Sequence, residues 1–382
     1  MVLFLAGTVI FIYGMLASML GTIVPGLATR LGLSNVEIGY LALAQGLGLA
    51  ATSVGAGALI DRSGKKAGIV VGLCAIIGGL FTLGNAHSLH ACIVAMTVLG
   101  CGGSLVIVGS NTIAAEVCDE LKGSALNILN VFVGLGGLAT PFVAGNLLGA
   151  DVAKIAYCAI AISVFALLLA LWTKMPNRPA PSKEVRDSSV FHDFTLYVLA
   201  LVTFLYTACE FAIWNWLPKY LIASGMPGKT ALNILSLGFA CGMLIGRLVA
   251  ARVLVKASPL LTTLISALLM GITSFAMLQT TTTSAMAAIV FLTGLSMAPI
   301  FPTTIAIVGG RFKQRAATAI GFAITCGFSG LVVSSPVIGW LSGTDPHGIK
   351  RGLLLIPALS FCIAAILLSL RSSLKTTVLD AT

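Results

Sequence analysis

The chain has 382 residues, of which 58% are hydrophobic and 9% charged, and its mean hydropathy is +1.06. A soluble domain carries about 25% charged residues, so this composition excludes a water-facing surface and calls for lipid over most of it. The net charge of +10 does not imply nucleic-acid binding, because the Lys and Arg sit in short breaks between apolar runs and form no basic-aromatic face.

A membrane-spanning helix needs about 20 apolar residues. Apolar runs bounded by charged or Gly/Pro/Asn-rich breaks predict twelve spans, at 3–27, 37–60, 66–86, 90–116, 122–148, 153–173, 194–221, 230–255, 258–279, 284–310, 315–342 and 350–370. In the first, Gly7, Gly14 and Gly21 recur every seven residues and share one face, which lets a neighbouring backbone approach closely. The second holds Gln45, a candidate solute ligand. Between the second and third lies the charged break Gly57-Ala58-Leu59-Ile60-Asp61-Arg62-Ser63-Gly64-Lys65-Lys66, partly echoed by Gly242-Met243-Leu244-Ile245-Gly246-Arg247.

Span four carries Asn111, and span five carries Asn127 and Asn130. Asn127, Asn130, Gly134, Gly137 and Pro141 share one helical face. Amides on such a stripe offer donors and acceptors to a polyol, or hold neighbouring helices together. The stretch 174–193 is the one long polar segment, with Pro176, Pro179, Pro181 and mixed charges, and reads as a linker. It divides the chain into an N-terminal bundle, 1–173, and a C-terminal bundle, 194–382.

Glu210 lies inside the apolar span seven. A carboxylate there is costly unless it faces a cavity, finds a partner or is protonated, so Glu210 is a candidate for both solute binding and coupling to H+ or Na+. Trp214 shares its helical face and is a candidate ring to stack on a solute. Trp216 reads as an interfacial-belt residue. No Lys or Arg falls near the centre of a span, which argues against anionic solutes. The nine Cys make no CxxC pair, and no metal cluster or catalytic triad is visible, so no cofactor, metal or enzymatic activity is expected.

The halves repeat. Gly102 and Thr112-Ile113-Ala114 match Gly294 and Thr304-Ile305-Ala306, and Gly145 to Gly149 matches Gly339 to Gly343. Arg30, Lys154, Lys219, Lys229, Lys350 and Arg351 fall on one side of this topology, and the rest of the 22 Lys and Arg on the other. The positive-inside rule then predicts cytoplasmic termini.

The run from Gly57, with Asp61, Arg62, Gly64, Lys65 and Lys66, resembles the loop 2–3 signature of the major facilitator superfamily, G-x-x-x-D-R-x-G-R/K-R/K. The run Leu126 to Leu138, with Asn127 and Asn130, is similar to fucose-permease-like and sodium-dependent-glucose-transporter-like members, as is Glu210 with Trp216, Pro218 and Tyr220. The chain departs from fucose permease in having no acid in span one and only Glu116 at the inner end of span four. The resemblance implies an all-α membrane protein of twelve transmembrane helices. These form two six-helix bundles with pseudo-two-fold symmetry that rock about a central cavity. It implies gating by Gly57, Asp61, Arg62, Gly64 and Lys65, with Arg247 as the remnant in the second half.

The expected function is secondary active transport, a symporter for a small neutral polar solute such as a monosaccharide, with Asn111, Asn127, Asn130, Glu210, Trp214 and Gln45 as solute ligands. The alternative is a multidrug or lipophilic-cation efflux pump of the same fold; a non-transporting receptor or scaffold is a third. The expected partners are the solute and the bilayer of a bacterial inner membrane, with the chain a monomer.

Overall fold

The computed structural model of the protein describes residues 1–117, 122–174, 191–254, 257–312, 316–343, 345 and 348–379. Inside its helices, the side chains at 54–55, 57–59, 61–63, 114–117, 122–128, 130, 316–317 and 371–379 lie outside that description. The first half runs α1 (Val2–Leu31), α2 (Asn35–Ser63), α3 (Lys65–Gly84), α4 (Leu89–Val117), α5 (Lys122–Asn146) and α6 (Val152–Trp172). The second runs α7 (Phe194–Ala223), α8 (Gly228–Asn233), a π-helical turn (Ile234–Ala240), α9 (Cys241–Val253), α10 (Pro259–Gln279), α11 (Thr283–Met297), α12 (Ile300–Arg311), α13 (Ala316–Ser342), α14 (Ile349–Leu353) and α15 (Leu355–Leu379).

The described residues contain no strand. Ten of the crossings are long and apolar enough by themselves to span a bilayer. α2 and α5, of 29 and 25 residues, are about 43 and 37 Å long at 1.5 Å per residue, which exceeds a hydrocarbon core of about 30 Å. Counting α8–α9, α11–α12 and α14–α15 as single crossings gives the twelve read from the sequence. Their ends fall close to the predicted ones because the breaks carry real caps. Ser34 and Glu37 form a capping box at α2, Asp151 caps α6 and Asp193 caps α7.

Three crossings predicted as continuous helices are interrupted, the twelfth only by a turn at Leu354 between α14 and α15. Span ten stops at Met297 and restarts at Ile300, because Pro299 has no N–H and its ring clashes with the preceding turn. Span eight contains seven π-helical residues, a local widening that recurs at functional sites.

Loops 32–34, 147–151 and 224–227 and the end of α13 at Gly343 lie on one side of the molecule, termed the far side; the start of α1, the end of α15 and the Gly64 turn lie on the other, the termini side. Within the first half α2 packs on α4, and α1 on α5; within the second, α9 and the π turn pack on α11, and α7 on α13. The duplication is therefore present in the packing. Gly48 rests on the backbone at Thr97 and Cys101, and Gly242 on Phe291 and Leu295. Gly100 rests on Gln45 and Leu49, and Gly294 on Phe239 and Met243. Every pair is displaced by 194 positions. A Cβ at any of the four would meet backbone atoms of the facing helix, so small residues set the distance of approach.

The left-handed glycines repeat too. Gly149 (φ 62°) and Gly343 (φ 61°) end α5 and α13, while Gly32 (φ 64°) and Gly225 (φ 91°) follow α1 and α7. The match of Gly145–Gly149 with Gly339–Gly343 thus holds. The match of Gly102 with Gly294 slips by two residues, since the structural counterpart of Gly294 is Gly100. The echo at Gly242–Arg247 is not a second copy of the Gly57–Lys66 turn. It is displaced by 185 positions rather than 194 and lies inside α9, not in a loop.

Candidate functional site

The two halves meet along α1–α7, α2–α13 and α5 against α8 and the π turn. Among the described residues, every hydrogen bond between the halves lies toward the far side. Lys219 Nζ donates to Asn35 Oδ1 (2.7 Å), and Asn35 Nδ2 donates to the carbonyls of Gly343 (3.0 Å) and Asp345 (3.2 Å). Asn146 Nδ2 donates to Asn233 Oδ1 (2.6 Å), and Ser236 Oγ donates to Leu138 O (2.7 Å). Glycines let backbones touch beside these bonds. A Cβ on Gly39 would meet Pro336 at 3.0 Å, and one on Gly339 would meet Asn35 O at 2.6 Å. In the sequence Lys219 stands out only as one of the six cations on that side of the topology. Its partner Asn35 is 184 residues away, which no local pattern signals.

Midway along the seam, α1 crosses α7 where Gly21 faces the Trp214 carbonyl. Glu210 stands one turn earlier on α7 and is half-buried. Arg247 of α9, Tyr206 and Trp214 face its carboxyl, and Tyr13 of α1 lies within electrostatic reach. Among the described residues no ion pair of 4.0 Å or less joins Glu210 to Arg247. Tyr206 is fully buried, and its Oη faces the Glu210 carboxyl, close enough to interact with it but outside tight hydrogen-bond geometry. The Trp214 ring is buried, edge-on to Phe239 at 5.0 Å, and stands over Gly137, whose added Cβ would meet it at 3.2 Å. A residual cavity of about 20 Å³, lined by residues including Tyr13, Gln45, Phe211 and Leu331, sits in the same region and has room for about one water.

The duplication explains why the site is one-sided. At a displacement of 193, Tyr206 corresponds to Tyr13, Glu210 to Ala17 and Trp214 to Gly21. The tyrosines are kept in both halves; the acid and the large ring occur in one.

The remaining sequence candidates divide. Gln45 lines the cavity, but its Nε2 donates to Leu16 O at 3.2 Å. Asn111 is half-buried on α4, and no described contact joins it to the Glu210 group. The side chains of Asn127 and Asn130 lie outside the described residues. Trp216 is not a belt residue: it is fully buried, because α7 is enclosed by α1, α13 and α15 and presents no lipid face there. Arg247, toward one end of span eight in the sequence, lies within electrostatic reach of Glu210 from α9. An arginine late in a helix reads as an interface anchor, yet its long side chain can turn inward.

On the termini side, Gly64 (φ 84°) ends α2 by donating its N–H to Ile60 O at 2.9 Å, and Lys65 opens α3. The side chains of Gly57, Asp61 and Arg62 lie outside the described residues. Lys66 Nζ donates to Leu171 O (2.6 Å) and Thr173 O (3.2 Å), placing its charge on the carbonyl end of α6. In the second half, Arg311 at the end of α12 pairs with Asp193 at 3.1 Å. Burial works against the Asp193 charge. Hydrogen bonds from Thr195 and the Arg311 guanidinium more than offset it, so the carboxyl sits below its usual range.

Residues 6–335 match the sequence profile of the Major Facilitator Superfamily. The chain belongs to this family. It is 23% identical over 354 residues to the uncharacterized MFS-type transporter YceJ of Bacillus subtilis (strain 168), covering 89% of each chain. Its fold is similar to that of a D-xylose-proton symporter (TM-score 0.81, 14% identity, 96% of each chain). It is also similar to that of the nucleoside transporter NupG (TM-score 0.82, 14% identity, 97% of this chain and 99% of the other). The MFS transporter FucP in its outward conformation has the same fold, with a TM-score of 0.66, 19% identity and coverage of 97% and 98%. The protein is thus an integral, multi-pass member of a transporter family with the twelve-helix, two-bundle fold.

Proposed function

We propose that the protein is a secondary transporter of a bacterial inner membrane that carries a small neutral polar solute of monosaccharide size by alternating access, coupled to H+ or Na+ through Glu210. The observation that carries this reading is Glu210 itself. It is a half-buried carboxyl at mid-span, at the α1–α7 crossing, within electrostatic reach of Arg247 and faced by a buried phenol that no tight hydrogen bond satisfies. An acid opposed by a base leaves the site near neutral overall, with donors and an acceptor available to adjacent hydroxyls, while the buried Trp214 ring offers an apolar face. Related folds in a D-xylose-proton symporter and a nucleoside transporter agree with a polar solute of this size.

In the mechanism, the far-side hydrogen bonds hold one access path shut while solute and ion exchange with the termini side, taken as cytoplasmic. Binding between α1, α7 and α9 draws the halves together around Glu210. Release of the Lys219–Asn35 and Asn146–Asn233 bonds then lets the far side part. The bundles 1–173 and 194–382 are the rocking bodies, and a monomer suffices.

Uptake of labelled hexoses and pentoses into proteoliposomes, with and without a proton or sodium gradient, tests the proposal. Accumulation under one gradient, lost in Glu210→Gln, is expected. Absence of accumulation of any neutral solute under either gradient contradicts it. Arg247 favours a second reading, a small aromatic carboxylate held by the guanidinium and stacked near Trp214, so one aromatic acid belongs in the same assay. The same arginine weighs against a lipophilic-cation efflux pump, which calls for an unopposed acid.

A further inference from the structure

Between the far-side ends of α8 and α11 lies a groove of about 620 Å³ that shares no lining residue with the Glu210 group; residues including Thr230, Asn233, Leu237, Thr283 and Ala287 line it. Gly238 lets α11 pass close beneath it: a Cβ there would meet Val290 at 3.2 Å. From Thr230 to Gly238 the groove runs about 12 Å along the helix axis, which takes it from headgroup depth into the acyl region of one leaflet. Its mouth is hydroxyl and amide (Thr230, Asn233, Thr283), its inner wall is apolar (Leu237, Ala287), and exposed Lys229 precedes the mouth. Polarity graded along the membrane normal, with a cation at the outer end, matches one class of occupant. We propose that this groove binds a phospholipid of the far-side leaflet. Its phosphodiester lies at Lys229, its glycerol esters on the Thr230 and Thr283 hydroxyls, and one acyl chain along Leu237 and Ala287.

Two observations separate this groove from the general surface of a membrane protein. The duplication supplies an internal control: the counterparts of Thr283 and Ala287, 194 positions earlier, are Leu89 and Ile93, larger and apolar, so the fold does not require the groove. The groove is also wired to the seam. Asn233, in its wall, is the residue that holds Asn146 across the halves at 2.6 Å, and the π turn that forms its floor carries Ser236, bonded to Leu138 O. A bound lipid therefore holds the wall that closes the far side, whatever solute the centre carries.

Native mass spectrometry of the full chain in detergent tests the proposal, with a phosphatidylglycerol and a diacylglycerol of matched acyl chains as probes. Wild type should retain the phospholipid over the diacylglycerol by about tenfold. Filling the groove with the first-half residues, Thr283→Leu with Ala287→Ile, should cut retention at least fivefold, with folding checked by thermal unfolding. Lys229→Gln, a surface change that leaves the fold untouched, should reduce the preference for phospholipid to near unity. Equal retention by wild type and the filled variant, or a preference unchanged in Lys229→Gln, overturns the proposal.

Discussion

The far side and the centre of the seam are both rich in polar groups, and they use them in opposite ways. On the far side the polar groups satisfy one another: Lys219 with Asn35, Asn35 with two carbonyls, Asn146 with Asn233, Ser236 with Leu138. At the centre the Tyr206 hydroxyl faces Glu210 without a tight hydrogen bond, and Glu210 and Arg247 interact without pairing closely. A buried polar group without a partner carries a standing cost of about 1–3 kcal/mol. Among the four such atoms in the described residues, with Ser104, Ser110 and Trp216, Tyr206 is the one that faces the Glu210 carboxyl; mutually satisfied groups suit a contact that closes.

The largest effect should come from the centre. Glu210→Gln keeps the volume but removes a hydrogen bond to a charged group worth about 1.5–3 kcal/mol. Solute affinity should fall tenfold or more, measured by calorimetric titration, with the thermal midpoint unchanged. A variant that binds as tightly as wild type removes Glu210 from the site.

Two glycines on one face of α1 sharpen the contrast next. Gly14 meets Val133 of its own half, and Gly21 meets Trp214 of the other. Gly14→Val should destabilise the fold by about 1–3 kcal/mol through overpacking, lowering the thermal midpoint. Gly21→Val should shift the protein toward an open far side with a smaller stability loss, read as faster labelling of a cysteine placed at Leu138. Equal stability losses and unchanged labelling would erase the distinction between fixed and moving contacts.

Asn35→Leu removes the partner of the Lys219 charge. A charge-assisted bond is worth about 1.5–3 kcal/mol, so the open far-side population should rise about tenfold in the same labelling assay. The smallest effect belongs to Asp193. Its carboxyl is held below the unfolded value of about 3.9, so its contribution is present above that pH and fades as pH falls through the lower folded value. With both side chains partly exposed, the contribution is about 1 kcal/mol or less. Asp193→Asn should lower the thermal midpoint slightly at pH 7, by an amount that shrinks as pH falls below about 3.9; a deficit that stays constant at low pH points to capping of α7 instead.

Length, hydropathy and break residues made the twelve crossings legible, because caps such as Ser34 and Asp151 and turns such as Gly32 and Gly149 act locally. The π turn and the break at Pro299 were not legible. Pro25, Pro141, Pro218 and Pro336 all lie inside helices, so proline alone does not say which helix stops. Glu210 announced itself by the cost of an acid in an apolar run. Arg247 did not, since its position near a helix end says nothing about where a flexible side chain turns. The seam bonds were hidden for a different reason: Asn35, Asn146 and Asn233 are ordinary loop-proximal amides until the halves are brought together. The duplication was legible only in part, because it is kept in matching contacts more than in matching residues. Gly100 and Gly294 share their packing while their neighbours differ.

The central claim is that the far-side seam is a closure that opens, while the centre is a site that fills. Spin labels at Leu147 and Ser224, exposed positions on the far side of the two halves, measure it most directly by pulsed electron resonance in nanodiscs. The account predicts one short distance in wild type, a second population at least several ångström longer in Asn35→Leu, and a change in the balance of the two when a transported solute is added. A single distance common to wild type, the variant and the solute-loaded protein would contradict it.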